Sequence, residues 1–392
     1  MKTVGLKKNP ILWLDGAHLV NDVYTGMLNP IMPFIAAKLS ISMAFATVIL
    51  SMSHICASLL QPLFGFWADN MPKRVFIFWG LIFTSIFISI APASTEIFIL
   101  ILCIILGSLG SSFFHPQALG LVIKFADSDL AKTMGVFIAL GSIGFSLGPL
   151  LSAAVAQYWG LLHMPVLCLP GLLVALLMFK LVPKIPVMPS EKQNLKLSEA
   201  FIDICRNKKL RILILMSILK TLVTTSCLIL LPFLWKSLGY EPFKIGCILF
   251  AFIFAGGIGS ILSRNLEKKI GTPKVFSISM VSTLPLMVFF AVTYNKVPLL
   301  SEILFVIIGF LTMLAQPVMM VMAQSVLPQY KSIMGGFING FSWGIVAIAM
   351  SAIGFIAQAN GIIPVLLVIA VIPAVLSVYV IKQLFNNDTE KL

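Results

Sequence analysis

The stretch of residues 11–34 is apolar and long enough to cross a bilayer, yet it contains several polar and ionisable side chains. These are Asp15, His18, Asn21, Asp22 and Tyr24. A charge near the bilayer centre costs roughly 3 kcal/mol on insertion scales. Asp15, His18 and Asp22 follow one another at i, i+3 and i+7, so a helix places them on one face. That face is therefore expected to look into a helix bundle or a watery cavity.

The composition of the chain indicates a membrane protein with many spans. Of its 392 residues 59% are hydrophobic and only 10% are charged, and its mean hydropathy is +1.05. A soluble protein would carry about 25% charged residues. The net charge of +13 favours basic cytoplasmic loops on an anionic leaflet over a nucleic-acid partner. The basic N-terminus precedes no convincing cleavage site, so the first apolar run is expected to stay as a transmembrane helix.

Hydrophobic segments of spanning length, about 17–25 residues, recur along the chain and predict about twelve transmembrane helices. They cover approximately residues 11–36, 43–66, 75–92, 97–122, 133–157, 162–182, 210–234, 243–263, 274–294, 298–322, 333–356 and 362–382. Residues 183–209 form the one long polar, Pro-containing connection. The predicted fold is therefore an all-α polytopic protein with an N-terminal six-helix bundle (1–182), a central loop (183–209) and a C-terminal six-helix bundle (210–392).

The distribution of Lys and Arg predicts the orientation. With the N-terminus inside, most of them fall in cytoplasmic segments, above all in the central loop and its edges. Only Lys38, Lys236, Lys244 and Lys296 fall outside, and Lys220 lies within a span. Because cytoplasmic loops carry the excess of basic residues, both termini and the central loop are expected to be cytoplasmic.

Short sequences recur between the two halves at a constant spacing. Met134-Gly135 and Phe137-Ile138 reappear as Met334-Gly335 and Phe337-Ile338. Two six-helix halves in parallel repeat are typical of transporters that rock around a site near the bilayer midplane.

The loop after the second predicted span has a charged motif. Its key residues are Gly65, Asp69, Lys73 and Arg74. The motif resembles the loop signature of the major facilitator superfamily, although Asn70 and Pro72 depart from it. The carboxylate of Asp69 could meet a helix N-terminus and basic groups, and so act as a latch for one conformation. An ordinary charged loop is the alternative interpretation.

The fifth predicted span contains Gly144, Gly148 and Pro149, which resemble the antiporter motif of the same superfamily. Glycines four residues apart make a flat face for close helix packing, and the proline favours a bend. Generic packing of small residues and a role in the direction of transport are equally open.

Several segments of the N-terminal half are similar to the fosmidomycin-resistance family of bacterial facilitators. They are His18–Asp22, Gln61–Gly65, Phe114–Pro116 and Ser146–Leu151. The resemblance implies a monomeric efflux protein of the bacterial inner membrane that exports drugs in exchange for protons. Asp15 departs from the family pattern and adds a second acid.

The candidate site residues fall into two groups. For proton coupling, Asp22 is the expected carrier, His18 and His115 would form a relay or tune it, and Asp15 could contribute. Histidine suits this task because it exchanges protons near neutral pH. For substrate binding, the candidates are Asn21, Tyr24, Lys220, Thr224 and Gln316. Lys220 could pair with Asp22, attract an anionic substrate, or extend toward the interface.

Other functions are weighed against drug efflux. Proton-coupled uptake of an anionic metabolite would use Lys220. Transport of a metal or metal chelate is open because Asp15, His18, Asp22 and His115 offer nitrogen and oxygen ligands. An enzyme or an ATP-driven pump is not supported, since the sequence has neither a nucleophile–base constellation nor a GxxxxGK[ST] phosphate loop.

The six cysteines are scattered, so no disulfide framework, structural metal site or cofactor is predicted. The expected partners are a small-molecule substrate, protons and the lipid bilayer.

Overall fold

Helices make up most of the structure, as the long apolar segments predict. A computed structural model describes residues 10–61, 63–64, 67, 75–126, 130–181, 197–327, 334 and 337–385. Its α-helices are α1 Pro10–Gly26, α2 Leu28–Lys38, α3 Met43–Ser58, α4 Val75–Ile90, α5 Ile97–Phe125, α6 Leu130–Tyr158, α7 Cys168–Leu181, α8 Leu197–Arg206, α9 Lys208–Ser237, α10 Pro242–Ile270, α11 Thr272–Val281, α12 Thr283–Thr293, α13 Pro298–Leu314, α14 Gln316–Val326, α15 Ser342–Asn360 and α16 Ile362–Phe385. Short 3₁₀ turns at Ala91–Ala93 and Leu161–Leu167 and a π turn at Phe337–Phe341 connect some of them.

Nine helical segments of the described chain are long and apolar enough to cross a membrane. Met43–Ser58 and Ile362–Val378 are shorter apolar helices. The all-helical, multi-span architecture is thus confirmed, and the count of twelve spans stays a prediction. The Gly65, Asp69, Lys73 and Arg74 motif lies outside the described residues.

Two of the helix breaks follow from proline. Pro30 has no N–H to donate to the carbonyl of residue 26, and the first predicted span divides into α1 and α2 at Met27. Pro317 likewise leaves the carbonyl of Met313 without its helical donor, and α13 gives way to α14 at Ala315. The Ser260 hydroxyl donates to that freed carbonyl at 3.3 Å. The chain can therefore break inside apolar segments because side chains satisfy the released backbone groups.

The chain forms two compact units. Unit 1 comprises the described part of residues 1–191 together with Trp235–Phe250, and unit 2 comprises the described part of 192–234 together with Ala251–Leu392. Within unit 1, the Lys236 ammonium donates to the carbonyl of Pro33 at 2.8 Å. The backbone N–H of Phe243 donates to Gln157 Oε1 at the same distance. The bundle boundaries predicted from the central loop stay predictions.

Glycines on one face of α6 bring that helix against α1. A methyl group at Gly144 would overlap the carbonyl oxygen of Leu19, and one at Gly148 would overlap that of Val23. In return, a methyl group at Gly26 of α1 would overlap the carbonyl of Phe145. The absence of side chains at these positions is what lets the two backbones approach. This contact gives the glycines of the predicted motif a packing role in unit 1.

Hydrogen bonds also hold α1 against its neighbours. Ser152, one turn beyond Gly148, donates to the carbonyl of Met27 at 2.8 Å. The Tyr24 hydroxyl donates to the carbonyl of Leu167 at 2.7 Å and accepts the N–H of Gly171 at 2.9 Å. The helix is thus held along its length, which fixes the position of its polar face.

An apolar core lies beside that face in unit 1. It includes Leu14, Ala17, Leu81, Phe114 and Leu121, all fully buried. A separate core in unit 2 joins parts of α9, α11, α13 and α14. The polar groups of α1 therefore have a dry, close-packed environment on one side.

We expect Gly144→Ala to lower the stability of the purified protein. The added methyl group forces α1 and α6 apart, and overpacking of this kind costs about 1–3 kcal/mol. The measurement is the thermal unfolding temperature in detergent. Gly120→Ala on α5 is the matched control, because a methyl group there meets nothing within 4 Å. An unchanged unfolding temperature for Gly144→Ala would contradict the close packing described above.

Candidate ion-coupling site

The carboxylate of Asp22 lies between two histidines in unit 1. His18 is one turn earlier on α1, and its Nε2 is 3.2 Å from Asp22 Oδ2. His115 comes from α5, and its Nε2 is 3.4 Å from Asp22 Oδ1. The side chains of His18 and Asp22 are only 9% and 15% exposed, and that of His115 is 25% exposed. The structure therefore brings together three of the four residues predicted for proton coupling.

The position of the His18 ring is fixed by its surroundings. Its Nδ1 lies 2.8 Å from the carbonyl oxygen of Phe137 on α6. The Phe137 ring stacks on the imidazole with the ring centres 4.0 Å apart, and the Phe114 ring lies on it at 6.1 Å. The His115 ring meets that of His18 edge to face at 5.3 Å. His18 is consequently held by both a hydrogen bond and aromatic packing.

Asn21 supplies a further polar contact to the same carboxylate. Its amide nitrogen donates to Asp22 Oδ1 at 3.0 Å and lies 3.5 Å from Ser111 Oγ on α5. Asn21 is fully buried. The predicted substrate ligand Asn21 therefore orients Asp22 through this hydrogen bond.

The contacts require at least one mobile proton in the cluster. A carbonyl oxygen can only accept, so His18 must carry a proton on Nδ1 to bond to Phe137. Its Nε2 then faces a carboxylate oxygen at 3.2 Å. Two lone pairs would repel at that distance, so either the imidazole or the carboxyl group must hold a proton between them. The geometry thus suits the storage of positive charge beside Asp22.

Gly141 leaves the room that this arrangement needs. A methyl group on Gly141 would overlap the His18 ring and would lie 2.8 Å from Asp22 Oδ2. Sequence reasoning missed the role of Gly141 and that of the Phe137 carbonyl. The sequence did contain one signal for them, which is a repeat at helical spacing that places these residues on one face of α6. The residues are Phe137, Gly141, Gly144 and Gly148.

Two further residues of α1, Asp15 and Tyr24, are predicted site residues. Asp15 is 5% exposed, and its Oδ1 has no hydrogen-bond donor among the residues that the structure describes. Tyr24 is buried, and its hydroxyl is engaged by Leu167 and Gly171. The Tyr24 hydroxyl therefore contributes to the packing of α1, and its predicted role as a substrate ligand stays a prediction.

Lys220 is a buried cation of unit 2. It lies on α9 with 3% of its surface exposed. Its ammonium lies 3.4 Å from the thioether sulfur of Met313 on α13. A thioether is a weak acceptor, so this contact compensates the buried charge poorly.

The hydroxyls near Lys220 differ in availability. Thr224 donates to the backbone carbonyl of Lys220 at 3.2 Å, one turn back on the same helix. Thr225 is buried, and its hydroxyl has no hydrogen-bond partner within the described ranges. Gln316 begins α14 directly after the helix break at Ala315. Thr225 is therefore a better candidate than Thr224 for contact with a ligand.

Comparison with known proteins identifies the family. Residues 14–351 match the model of the Major Facilitator Superfamily. The chain is 25% identical over 354 residues to the fosmidomycin resistance protein of Escherichia coli (strain K12), with 88% of this chain and 86% of the relative covered. It is 22% identical over 372 residues to the uncharacterized MFS-type transporter YfnC of Bacillus subtilis (strain 168), with 93% and 90% covered.

Solved structures show the same fold. The nucleoside transporter NupG matches with a TM-score of 0.75 at 16% identity, over 97% of this chain and 99% of that one. A bacterial homolog of the human lysosomal transporter Spinster, inward-facing and occupied, matches with a TM-score of 0.72 at 14% identity, over 96% and 97%. Because the family model matches most of the chain, this protein belongs to the Major Facilitator Superfamily and is a multi-pass membrane transporter, not an enzyme.

Proposed function

We propose that the protein exports small organic molecules, such as fosmidomycin-like drugs, in exchange for protons by alternating access. The observation that carries the proposal is the buried carboxylate of Asp22 between the Nε2 atoms of His18 and His115. The fosmidomycin resistance protein among its relatives supports the cargo class. Ionisable residues inside membrane spans are rare and commonly belong to proton relays.

Only one nitrogen of the His18 ring is available for proton exchange. Since its Nδ1 proton is committed to the Phe137 carbonyl, the exchangeable proton lies between Nε2 and Asp22. Loss of this proton leaves the carboxylate of Asp22 facing the lone pair of an imidazole and makes the pair more negative toward His115 on α5. A single proton thus changes the interactions among helices that all meet at Asp22.

Proton movement and substrate transport are coupled if the proton and the substrate cannot occupy the site together. We propose that substrate binding releases the proton held between His18 and Asp22, and that reprotonation favours the departure of the substrate. Asn21 would transmit this change from Asp22 to α5, because its amide contacts both Asp22 and Ser111. Asp15, which makes no such contact, is a secondary candidate.

The proposed topology has twelve spans in two six-helix bundles with both termini cytoplasmic. The location is the bacterial cytoplasmic membrane and the expected state is a monomer. Charge asymmetry supports the orientation, because basic residues concentrate in the segments assigned to the cytoplasm. The loop motif at Gly65, Asp69, Lys73 and Arg74 is proposed as a conformational latch. In the same proposal, Gly144, Gly148 and Pro149 contribute to the direction of transport through the packing of α6.

A second candidate function is proton-coupled uptake of an anionic metabolite. The specific observation in its favour is Lys220, whose buried ammonium contacts the Met313 thioether. An anionic substrate would compensate this charge in either direction of transport. Lys220 therefore favours an anionic cargo but does not indicate the direction of transport.

We expect Asp22→Asn to abolish substrate-driven proton movement. The amide keeps the shape of the side chain but cannot take up a proton. The measurement uses purified protein in liposomes with an imposed pH gradient, an internal pH dye, fosmidomycin and a small drug panel. We expect the proton flux to fall by at least about 100-fold, in line with losses of about 10²–10⁴ for removal of a proton-transfer group.

Asp15→Asn is the matched control for that experiment. It makes the same chemical change on the same helix, at a residue outside the histidine cluster, and we expect it to retain most of the flux. Equal fluxes in Asp22→Asn and the wild type would refute coupling at Asp22. Loss in Asp15→Asn alone would move the proton site to Asp15.

We expect Lys220→Met to weaken the binding of anionic compounds but not of neutral ones. Removing one partner of a buried charge pair costs about 2–5 kcal/mol, which corresponds to a rise in Kd of roughly 30-fold or more. The measurement is equilibrium binding to purified protein, with fosmidomycin as the anion and neutral drugs of the panel as the internal control. An unchanged Kd for fosmidomycin would remove Lys220 from the substrate site.

A further inference from the structure

We propose that the His18–Asp22–His115 cluster is a binding site for one divalent transition-metal ion, with Zn²⁺ as the representative ion. Within the described residues, one donor atom from each of the three side chains lies within 4.8 Å of the others. Two imidazoles and one carboxylate are a ligand set found in zinc, iron and nickel sites. Binding of the ion itself requires only these three side chains and no assumption about the cargo.

The distance from each histidine to Asp22 is close to the separation of two ligands on one metal ion. With metal–ligand bonds of about 2.0–2.1 Å, two ligands at a tetrahedral angle lie about 3.3–3.4 Å apart. His18 Nε2 and Asp22 Oδ2 are 3.2 Å apart, and His115 Nε2 and Asp22 Oδ1 are 3.4 Å apart. Each histidine therefore stands at a ligand-to-ligand distance from a different oxygen of the carboxylate, and the donor atoms of all three side chains lie within 4.8 Å of one another.

His18 is already oriented as a ligand. Metal-binding histidines commonly donate their other ring N–H to a backbone carbonyl or a carboxylate, which fixes the tautomer. The Nδ1 of His18 makes this contact to Phe137 at 2.8 Å, so the Nε2 lone pair points toward Asp22. The rings of Phe137 and Phe114 lie against the imidazole. This apolar surround limits the water that would compete for the ion.

The space between the ligands is preserved by Gly141. A methyl group there would lie against His18 and Asp22 on the side of α6. Three protein ligands leave a fourth tetrahedral position for water, as in zinc sites that are not purely structural. The nitrogen-containing donor set disfavours Mg²⁺, which prefers oxygen ligands in octahedral geometry.

Occupation by Zn²⁺ would displace the proton that the cluster otherwise holds. This consequence rests on the proposed function, whereas the binding itself does not. A bound ion would tie α1 to α5 through Asp22 and His115 and arrest transport. The ion is therefore proposed as an inhibitor that occupies the coupling site.

The first test is isothermal titration of Zn²⁺ into purified protein whose affinity tag has been removed. We expect one ion per chain for the wild type. His115→Ala should weaken the affinity at least about 10-fold, since even the loss of a group that merely orients a ligand costs about 10–100-fold. Co²⁺ provides a second readout, because tetrahedral coordination by these side chains gives visible absorption bands that the variant should lose.

Controls separate this site from surface binding. His163→Ala removes an exposed histidine, so this variant should bind Zn²⁺ as the wild type does. Thermal unfolding without metal verifies that His115→Ala is folded. Mg²⁺ should give no titration signal.

Two outcomes would overturn the proposal. One is the absence of Zn²⁺ binding to the folded wild type, and the other is unchanged binding in His115→Ala. Transport assays with Zn²⁺ then distinguish the two hypotheses. Binding at the cluster without any drug-driven proton flux would refute the proposed function alone, whereas proton flux through Asp22 without Zn²⁺ binding would refute the metal site alone.

Discussion

The contact of one buried carboxylate with two imidazole nitrogens is the interaction on which the account of unit 1 depends. Asp22 would be costly inside a bilayer without compensation. His18 and His115 provide that compensation from two different helices, at 3.2 and 3.4 Å. Histidine is also the side chain whose unperturbed imidazole exchanges protons near neutral pH. In the proposed function, the contacts that stabilise the charge of Asp22 are therefore the ones that couple it to proton exchange.

The glycine face of α6 makes that contact possible. Gly144 and Gly148 let the α6 backbone approach α1, and Gly141 on the same face leaves room for the His18 ring. The approach also brings the carbonyl of Phe137 within reach of His18 Nδ1. The glycines that pack α6 against α1 thus also place a backbone acceptor beside His18. In the proposed function, helix packing and proton coupling are therefore linked through α6.

Much of the fold follows from the sequence because hydrophobic segments of spanning length leave few alternatives to helices. The pairing of His18 with Asp22 also follows, since residues four apart share a helix face. The approach of His115 depends on the packing of α5 against α1, which spacing along the chain does not reveal. The Phe137 carbonyl is a backbone atom and has no signal of its own in the sequence. The contacts of Tyr24 with Leu167 and Gly171 could not be predicted either, because both partners are remote in the chain.

The most direct test of the account is the number of protons released when a substrate binds to the purified protein. A weakly buffered solution with a pH dye reports this number without membranes or gradients. For a compound that the protein binds, the account predicts the release of about one proton per bound molecule in the wild type and none in Asp22→Asn, by the balance of protons linked to binding. Substrate binding to the wild type without any proton release would contradict the central role of Asp22.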